Sequence, residues 1–371
     1  MLSHLCLFVK GYLFCQRVYT GDMEIRFATD TEIENWNQKV LANPDGGNVF
    51  QGVEFAAQKQ LSGWTPRYVM AGNVALTILE KSVMGLGKLW YLPKGPGVKT
   101  IVGLGNMLSE LKQFAHANGV FVVKVEPELT KTDDALKAAR ELDLVKVTPI
   151  QPNYSTVLID LSPDLDAIMA NLNQKGRHAI RRAERDGVTV ERADRTDENY
   201  RTFYDLLTKT ADGQGFSSSI RPYEYYKAFW ERYTAAGYGQ LFLARFNDEV
   251  VAGAFAMVYG EKSTYKDGAS VRVDGAYGIT HLVQWNVIQW AKESGSKVHD
   301  LCGTPPSDQI NDESHRWYGV GRFKTSFNKQ VTDYIGAYDI VVHPRQYKWW
   351  TQFGERITKS IWWRTHHESW Y

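Results

Sequence analysis

Residues 69–95 read VMAGNVALTILEKSVMGLGKLWYLPKG, and residues 243–268 read LARFNDEVVAGAFAMVYGEKSTYKDG. Both follow one plan. An apolar strand runs into a short turn, Gly72-Asn73 in the first stretch and Asn247-Asp248 in the second. Gly, Asn and Asp accept the left-handed backbone of a tight hairpin, so each turn reads as a hairpin tip. A second strand follows, then a third that ends near Tyr91 or Tyr265. Each copy then passes a glycine-containing turn into a helix. These helices stop at Gly119 and Gly295, and each gives way to a short apolar strand, 120–125 or 297–301. The copies lie about 175 residues apart. A β-β-β-α-β unit that occurs twice predicts two similar α/β lobes, and duplicated lobes commonly enclose a binding cleft.

The chain is 371 residues long, enough for two such lobes with their own cores. Its net charge is +1, so an anionic partner must be met by local patches rather than by the field of the whole molecule. Cys6, Cys15 and Cys302 are too few and too scattered for a disulfide framework or a zinc site. They suit a cytoplasmic location. Lys10 and Arg17 interrupt the apolar character of residues 1–22, which are too short to span a bilayer. Met23 opens a sequence that reads as a domain start, and residues 1–22 are expected to be a non-native or disordered extension. The first lobe is expected over residues 23–157 with 336–371, and the second over 158–335. No long helical arm has room in this chain.

The motif search excludes several chemistries. The sequence has no Walker loop, no HExxH, no GxSxG, and no His/Cys/carboxylate group at metal-ligand spacing. Neither a cofactor nor a metal is expected. Nothing pairs a nucleophile with a base, which argues against covalent catalysis and for a reaction run by positioning and electrostatics.

Three segments and one lone lysine carry candidate chemistry. In Trp317-Tyr-Gly-Val-Gly-Arg-Phe-Lys-Thr-Ser-Phe327, Lys324 stands between Phe323 and Phe327. An ammonium beside aromatic faces can stack a base and hold an oxyanion at one place. The same run also reads as a strand with an outward lysine and two core phenylalanines. In Ser219-Ile-Arg-Pro-Tyr-Glu-Tyr225, Pro222 suits a first helical turn. Arg221 and Tyr225 would flank that helix start and meet an anion there, unless Arg221 simply pairs with an acid such as Glu224. A helix over 165–186 carries Lys175, Arg177, Arg181, Arg182 and Arg185. Such a face tracks nucleic-acid phosphates or is merely solvated. Lys59, in a helix that ends near Trp64, reads by itself as a surface lysine.

Taken in order, these pieces resemble the Fem family (FemABX) of peptidoglycan-bridge aminoacyltransferases. The resemblance rests on the Gln51…Phe55…Lys59…Gly63-Trp64 helix, Tyr91-Leu-Pro-Lys-Gly-Pro96, Val123-Lys-Val-Glu-Pro127, the basic helix, Tyr265…Gly268-Ala-Ser270, and Gly321-Arg-Phe-Lys-Thr-Ser-Phe327. It covers nearly all of the chain after Met23 and implies two tandem acetyltransferase-like (GNAT) lobes of α/β build. It also implies transfer of an amino acid from aminoacyl-tRNA to a stem-peptide amine of a UDP-linked or lipid-linked muropeptide precursor. By the same resemblance Lys59, Arg221, Tyr225 and Tyr265 hold the precursor's diphosphate and sugar. Phe323 and Lys324 meet the terminal adenosine and the reacting ester. Glu126 stands where the family often has Asp, which leaves it without an assigned role.

Two other readings fit single features. Arg272-x-x-Gly275-x-x-Gly278 weakly resembles the pyrophosphate loop of acyl-CoA N-acyltransferases, although the spacing differs. The basic helix alone would suit a non-catalytic tRNA-binding protein. At the C-terminus, 345–364 reads as a Trp-rich amphipathic helix. Its apolar stripe, with Trp349, Trp350, Phe353, Ile357, Ile361, Trp362 and Trp363, is expected mainly to dock on the first lobe, with weak peripheral contact at the inner membrane through the end at 362–371. The protein is expected to be a monomer.

Overall fold

The structure, a computed structural model, describes residues 3–9, 12–18, 23–151, 153–213 and 220–371, with side chains from residue 23 onward. Ser219 and the rest of 214–219 lie outside the described residues, as do 1–2, 10–11 and 19–22 of the expected extension. The strands β1 (Ser3–Val9) and β2 (Tyr12–Val18) pair only with each other. The first large sheet begins with β3 (Ile25–Phe27), β4 (Thr65–Ala71), β5 (Val74–Val83), β6 (Gly87–Leu92), β7 (Val120–Val125) and β8 (Val145–Val147). The chain then forms β9 (Ser155–Thr156), β10 (Leu158–Asp160), β11 (Thr189–Ala193), β12 (Gly239–Phe246), β13 (Glu249–Tyr259), β14 (Lys262–Ser270) and β15 (Val298–Asp300). It closes with β16 (Thr332–Asp333) and β17 (Ala337–Val341).

The spatial orders are β3-β4-β5-β6-β7-β17-β8 in one sheet and β10-β15-β14-β13-β12-β11 in the other. The predicted repeat is therefore the centre of each sheet. Its hairpin tips take the required backbone, with positive φ at Gly72, Asn247 and Asp248. In each sheet the third and fourth repeat strands run parallel, β6 with β7 and β14 with β15. A parallel pair needs a crossover, which the helices Ile101–Ala117 and Ile279–Glu293 supply. Gly119 and Gly295, both at positive φ, release the chain from those helices.

Several elements differ in detail from expectation. The helix expected over 165–186 is two helices, Leu165–Asn171 and Gln174–Arg185. Asn173 breaks it because its side chain caps the second helix and also donates to the Thr325 carbonyl at 3.2 Å. The Trp-rich segment is Pro344–Trp349 and Glu355–His366, joined by a π-helical turn at Trp350–Gly354. Between the lobes lies one continuous aromatic core. It joins Trp36, Phe50, Phe55 and Tyr91 from the first half to Phe203, Trp230, Tyr233 and Phe255 from the second. Polar ties cross the same boundary, such as Gln58 Nε2 to the Tyr225 carbonyl at 3.0 Å.

Candidate active site

The cleft opens where a ladder stops. β14 pairs with β15 only through Lys262–Thr264 against Val298–Asp300. The next residues are Tyr265 and Lys266. A bulge opposite Phe255/Ala256 adds one residue to β14 here. Strict alternation would send Tyr265 and Lys266 to opposite faces; the bulge lets both line one cleft. Gly268 is required for this: a Cβ there would sit 1.6 Å from the Tyr265 hydroxyl, which lies across it.

The cleft has a volume of about 770 Å³. Its far wall is the helix Tyr318–Thr325, so the strand reading of Gly321–Phe327 is wrong, and Lys324 is buried rather than outward. Gly321 lets this helix press on Pro305, since a Cβ would come within 2.9 Å of its ring. Lys324 Nζ donates to the Gly303 carbonyl at 2.6 Å and stands 5.9 Å from the Tyr265 ring. Burial holds its pKa below the usual lysine range. Among the described lining residues are three cations, Lys266, Arg316 and Lys324, and no carboxylate or imidazole.

The floor is fixed by buried charge. Lys262 Nζ lies 2.8 Å from Asp300 and 2.6 Å from Glu128, so it ties the β14/β15 edge to the first lobe. Asp300 also accepts from the Cys302 N–H at 2.7 Å. Burial, then Asp300, pushes the Cys302 thiol up to about 12, which removes it as a nucleophile at neutral pH.

A second cavity of about 480 Å³ adjoins the first. Lys59, Arg221 and Tyr225 line it, and Lys266 lines both. Lys59 is not a surface lysine: it is 6% exposed. Burial, helped by the Arg221 charge, lowers its pKa to about 8. Arg221 lies 4.4 Å over the Tyr225 ring and 3.4 Å from Glu368, not paired with Glu224. The helix begins at Tyr223 with Pro222 as its cap, so Arg221 projects from just before it. The four residues grouped from sequence thus divide, with Tyr265 in the first cleft and the other three in the second. Lys266, which connects them, was missed. Its only signal was its place beside Tyr265, and alternation argued against it.

A third, open groove of about 580 Å³ is lined by Lys175, His178, Tyr277, His281, Arg322 and Phe323. Phe323 also lines the first cleft. Gly176 brings the basic helix hard against the end of the Lys324 helix, where a Cβ would sit 2.4 Å from the Ser326 carbonyl. Lys175, Arg181 and Arg185 are exposed. The other two basic residues have local work. Arg177 donates to the Ala170 carbonyl at 2.6 Å and also to Leu172, closing the preceding helix. Arg182 pairs with Asp186 at 2.7 Å.

A splayed strand pair, a buried lysine and a cationic cleft on a duplicated α/β unit define an acyltransferase of tandem acetyltransferase-like build. Residues 170–315 match the acetyltransferase (GNAT) domain family. The lipid II:glycine glycyltransferase of Staphylococcus aureus strain MRSA252 is 24% identical, over 86% of this chain and 94% of its own length. That of strain USA300 matches over the same shares. The crystal structure of FemX superposes with a TM-score of 0.76 at 22% identity, covering 89% of this chain and 100% of FemX. A conserved protein from Bacteroides thetaiotaomicron VPI-5482 shares the fold at a TM-score of 0.53 and 10% identity, over 85% of this chain and 98% of its own. Over most of its length the chain is homologous to these FemX-type aminoacyltransferases.

Proposed function

We propose that the chain transfers the aminoacyl group of an aminoacyl-tRNA to a stem-peptide amine of a peptidoglycan precursor. The observation that carries this is the series of three cavities, joined through Phe323 and Lys266. The outer groove offers Lys175 and Arg322 to the tRNA 3′ end, and Phe323 a ring for its terminal base. The second cavity offers Lys59 and Arg221 to the precursor's diphosphate, with Tyr225 beside them. The central cleft is where ester and amine would meet.

The chemistry needs little from the protein. The acceptor amine attacks the ester carbonyl, the oxygen becomes an oxyanion, and the intermediate collapses as the ribose oxygen leaves with the proton that the amine gives up. Lys324, poorly hydrated and fixed on Gly303, is placed to stabilise that oxyanion, where a dry ammonium is worth most. In this reading the acceptor cavity is shared by residues 23–157 with 336–371 and residues 158–335, and the donor groove belongs to 158–335 alone. The relative named for lipid II supports a lipid-linked acceptor over a UDP-linked one.

The acyl-CoA reading fits less well. The Tyr277 N–H of the glycine loop is given to the Asp186 carboxylate at 3.0 Å, and a Cβ at Gly278 would meet the Ala179 carbonyl at 2.2 Å. A carboxylate and a packed helix thus stand where a pyrophosphate would need free N–H groups. The deciding experiment is a transfer assay with pooled charged tRNAs and both precursor forms, read by product mass. A mass gain of one amino acid is expected. Acylation by acetyl-CoA with no transfer from tRNA would overturn the reading.

A further inference from the structure

The C-terminal segment carries an apolar column that nothing in the described chain covers. Trp349, Phe353, Ile357 and Ile361 follow at intervals of four and are 60%, 48%, 47% and 52% exposed. Of the stripe expected to dock on the first lobe, Trp350 does so, 5.7 Å from the Phe121 ring, and Trp362 is half-buried. An uninterrupted helix turns about 100° per residue, so four positions at that interval would fan over about 120°. The π turn at Trp350–Gly354 is wider and sets the phase back, which narrows that fan. Met84, 95% exposed on the β5–β6 turn, borders the same groove as Trp349, Ile357 and Ile361. That groove measures about 1000 Å³.

Charge concentrates on the same segment. Arg345, Lys348, Arg356, Lys359 and Arg364 are all exposed. The one carboxylate of these helices, Glu355, is held by Lys359 and by the Tyr371 hydroxyl, both at 2.8 Å. Glu80, in the groove wall, is paired with Arg67 and Lys88. A chain of net charge +1 thus presents a local cationic face around exposed tryptophans.

We propose that this segment is an interfacial arm that docks the protein on an anionic bilayer. The apolar column enters the boundary between headgroups and acyl chains, and the arginines and lysines meet lipid phosphates. The end of the arm reaches the acceptor cavity, whose lining includes Trp363, His367 and Glu368 beside Arg221 and Lys59. Docking would therefore bring the diphosphate site to the membrane plane. This last step rests on the acceptor reading above and selects a lipid-linked acceptor; the docking itself does not depend on it.

The test is flotation of the full chain with phosphatidylglycerol/phosphatidylcholine vesicles, with neither donor nor acceptor present. Flotation at low salt is expected, with little on pure phosphatidylcholine. The combined change Trp349→Glu, Phe353→Glu, Ile361→Glu should reduce it roughly tenfold or more. These side chains are exposed, and a circular-dichroism melt confirms the variant's fold. Failure of the unmodified chain to float at low salt overturns the proposal, as does equal flotation of a folded variant. A dimer that the triple change dissolves, with no vesicle binding, overturns it in favour of self-association. Flotation in a protein that transfers nothing leaves the arm standing and refutes the acceptor reading instead.

Discussion

The two copies of the repeated unit differ most at one point, the end of the parallel strand pair. In the first copy β6 and β7 stay paired from Lys88–Val120 through Leu92–Val125. Tyr91 is fully buried there, and its hydroxyl donates to Glu126 at 2.7 Å. Glu126 also accepts from the Ile150 and Gln151 N–H groups. Only about 10 Å³ is left beside it. In the second copy the ladder ends after Thr264, Tyr265 has no partner in β15, and a cleft of about 770 Å³ opens. A few pairings more or fewer separate a filled copy from an open one. In the closed copy a carboxylate fills the place; in the open copy lysines surround it.

The sharpest break of this comparison is at Lys324. Lys324→Met should lower turnover about 100- to 1,000-fold with little change in precursor affinity, as loss of an oxyanion partner does. Near-normal single-turnover rates would remove the open copy's claim to the chemistry. Next, Arg221→Ala should weaken precursor binding by about 1.5–3 kcal/mol, or about 10- to 150-fold, by calorimetry. Unchanged affinity would move the acceptor site elsewhere.

The closed copy should answer differently. Tyr91→Phe leaves a buried carboxylate short of a donor, so it should cost roughly 1–3 kcal/mol of stability in a denaturant melt and leave turnover intact. A fall in turnover at full stability would give the closed copy a catalytic share.

The Lys59 prediction concerns pH. Its pKa in the free protein is about 8, and an anion beside it raises that value. Precursor binding should take up little proton at pH 7 and close to one per ligand near pH 9, with affinity falling as pH rises through about 8. Calorimetry in buffers of different ionisation enthalpy reads the uptake. Lys59→Gln should abolish it, and uptake that survives the change would point to another group. The smallest effect is expected on the basic helix. Arg181→Gln should weaken tRNA binding a few-fold and flatten its salt dependence by about one counterion. Arg177→Gln, at a position already turned inward, should leave the salt slope alone and lower stability instead.

Much of this frame was readable in the chain. The hairpin tips and helix-ending glycines mark both units, because only a few residue types tolerate those backbones. Lys324 and Phe323 stood out, as did Arg221 and Tyr225. What sequence hid was the difference between the copies. Where a parallel ladder stops is set by a bulge and by tertiary packing, and neither alters the local pattern around Tyr265. The same cause hid Lys266 and the true depth of Lys59. The Trp-rich helix was ambiguous from sequence, since an apolar stripe is equally what a buried face and a lipid-facing one require.

The order of strands in the first sheet has a consequence for how the chain is made. β17 lies between β7 and β8, yet it is synthesised after the whole second lobe. Until then β8 has no neighbour and β7 presents a bare edge, the kind of surface that recruits other chains. Domains usually close in the order they leave the ribosome. Here the first lobe must wait, incomplete, for its last strand, and a nascent chain ending before Ala337 would be the form most in need of a chaperone.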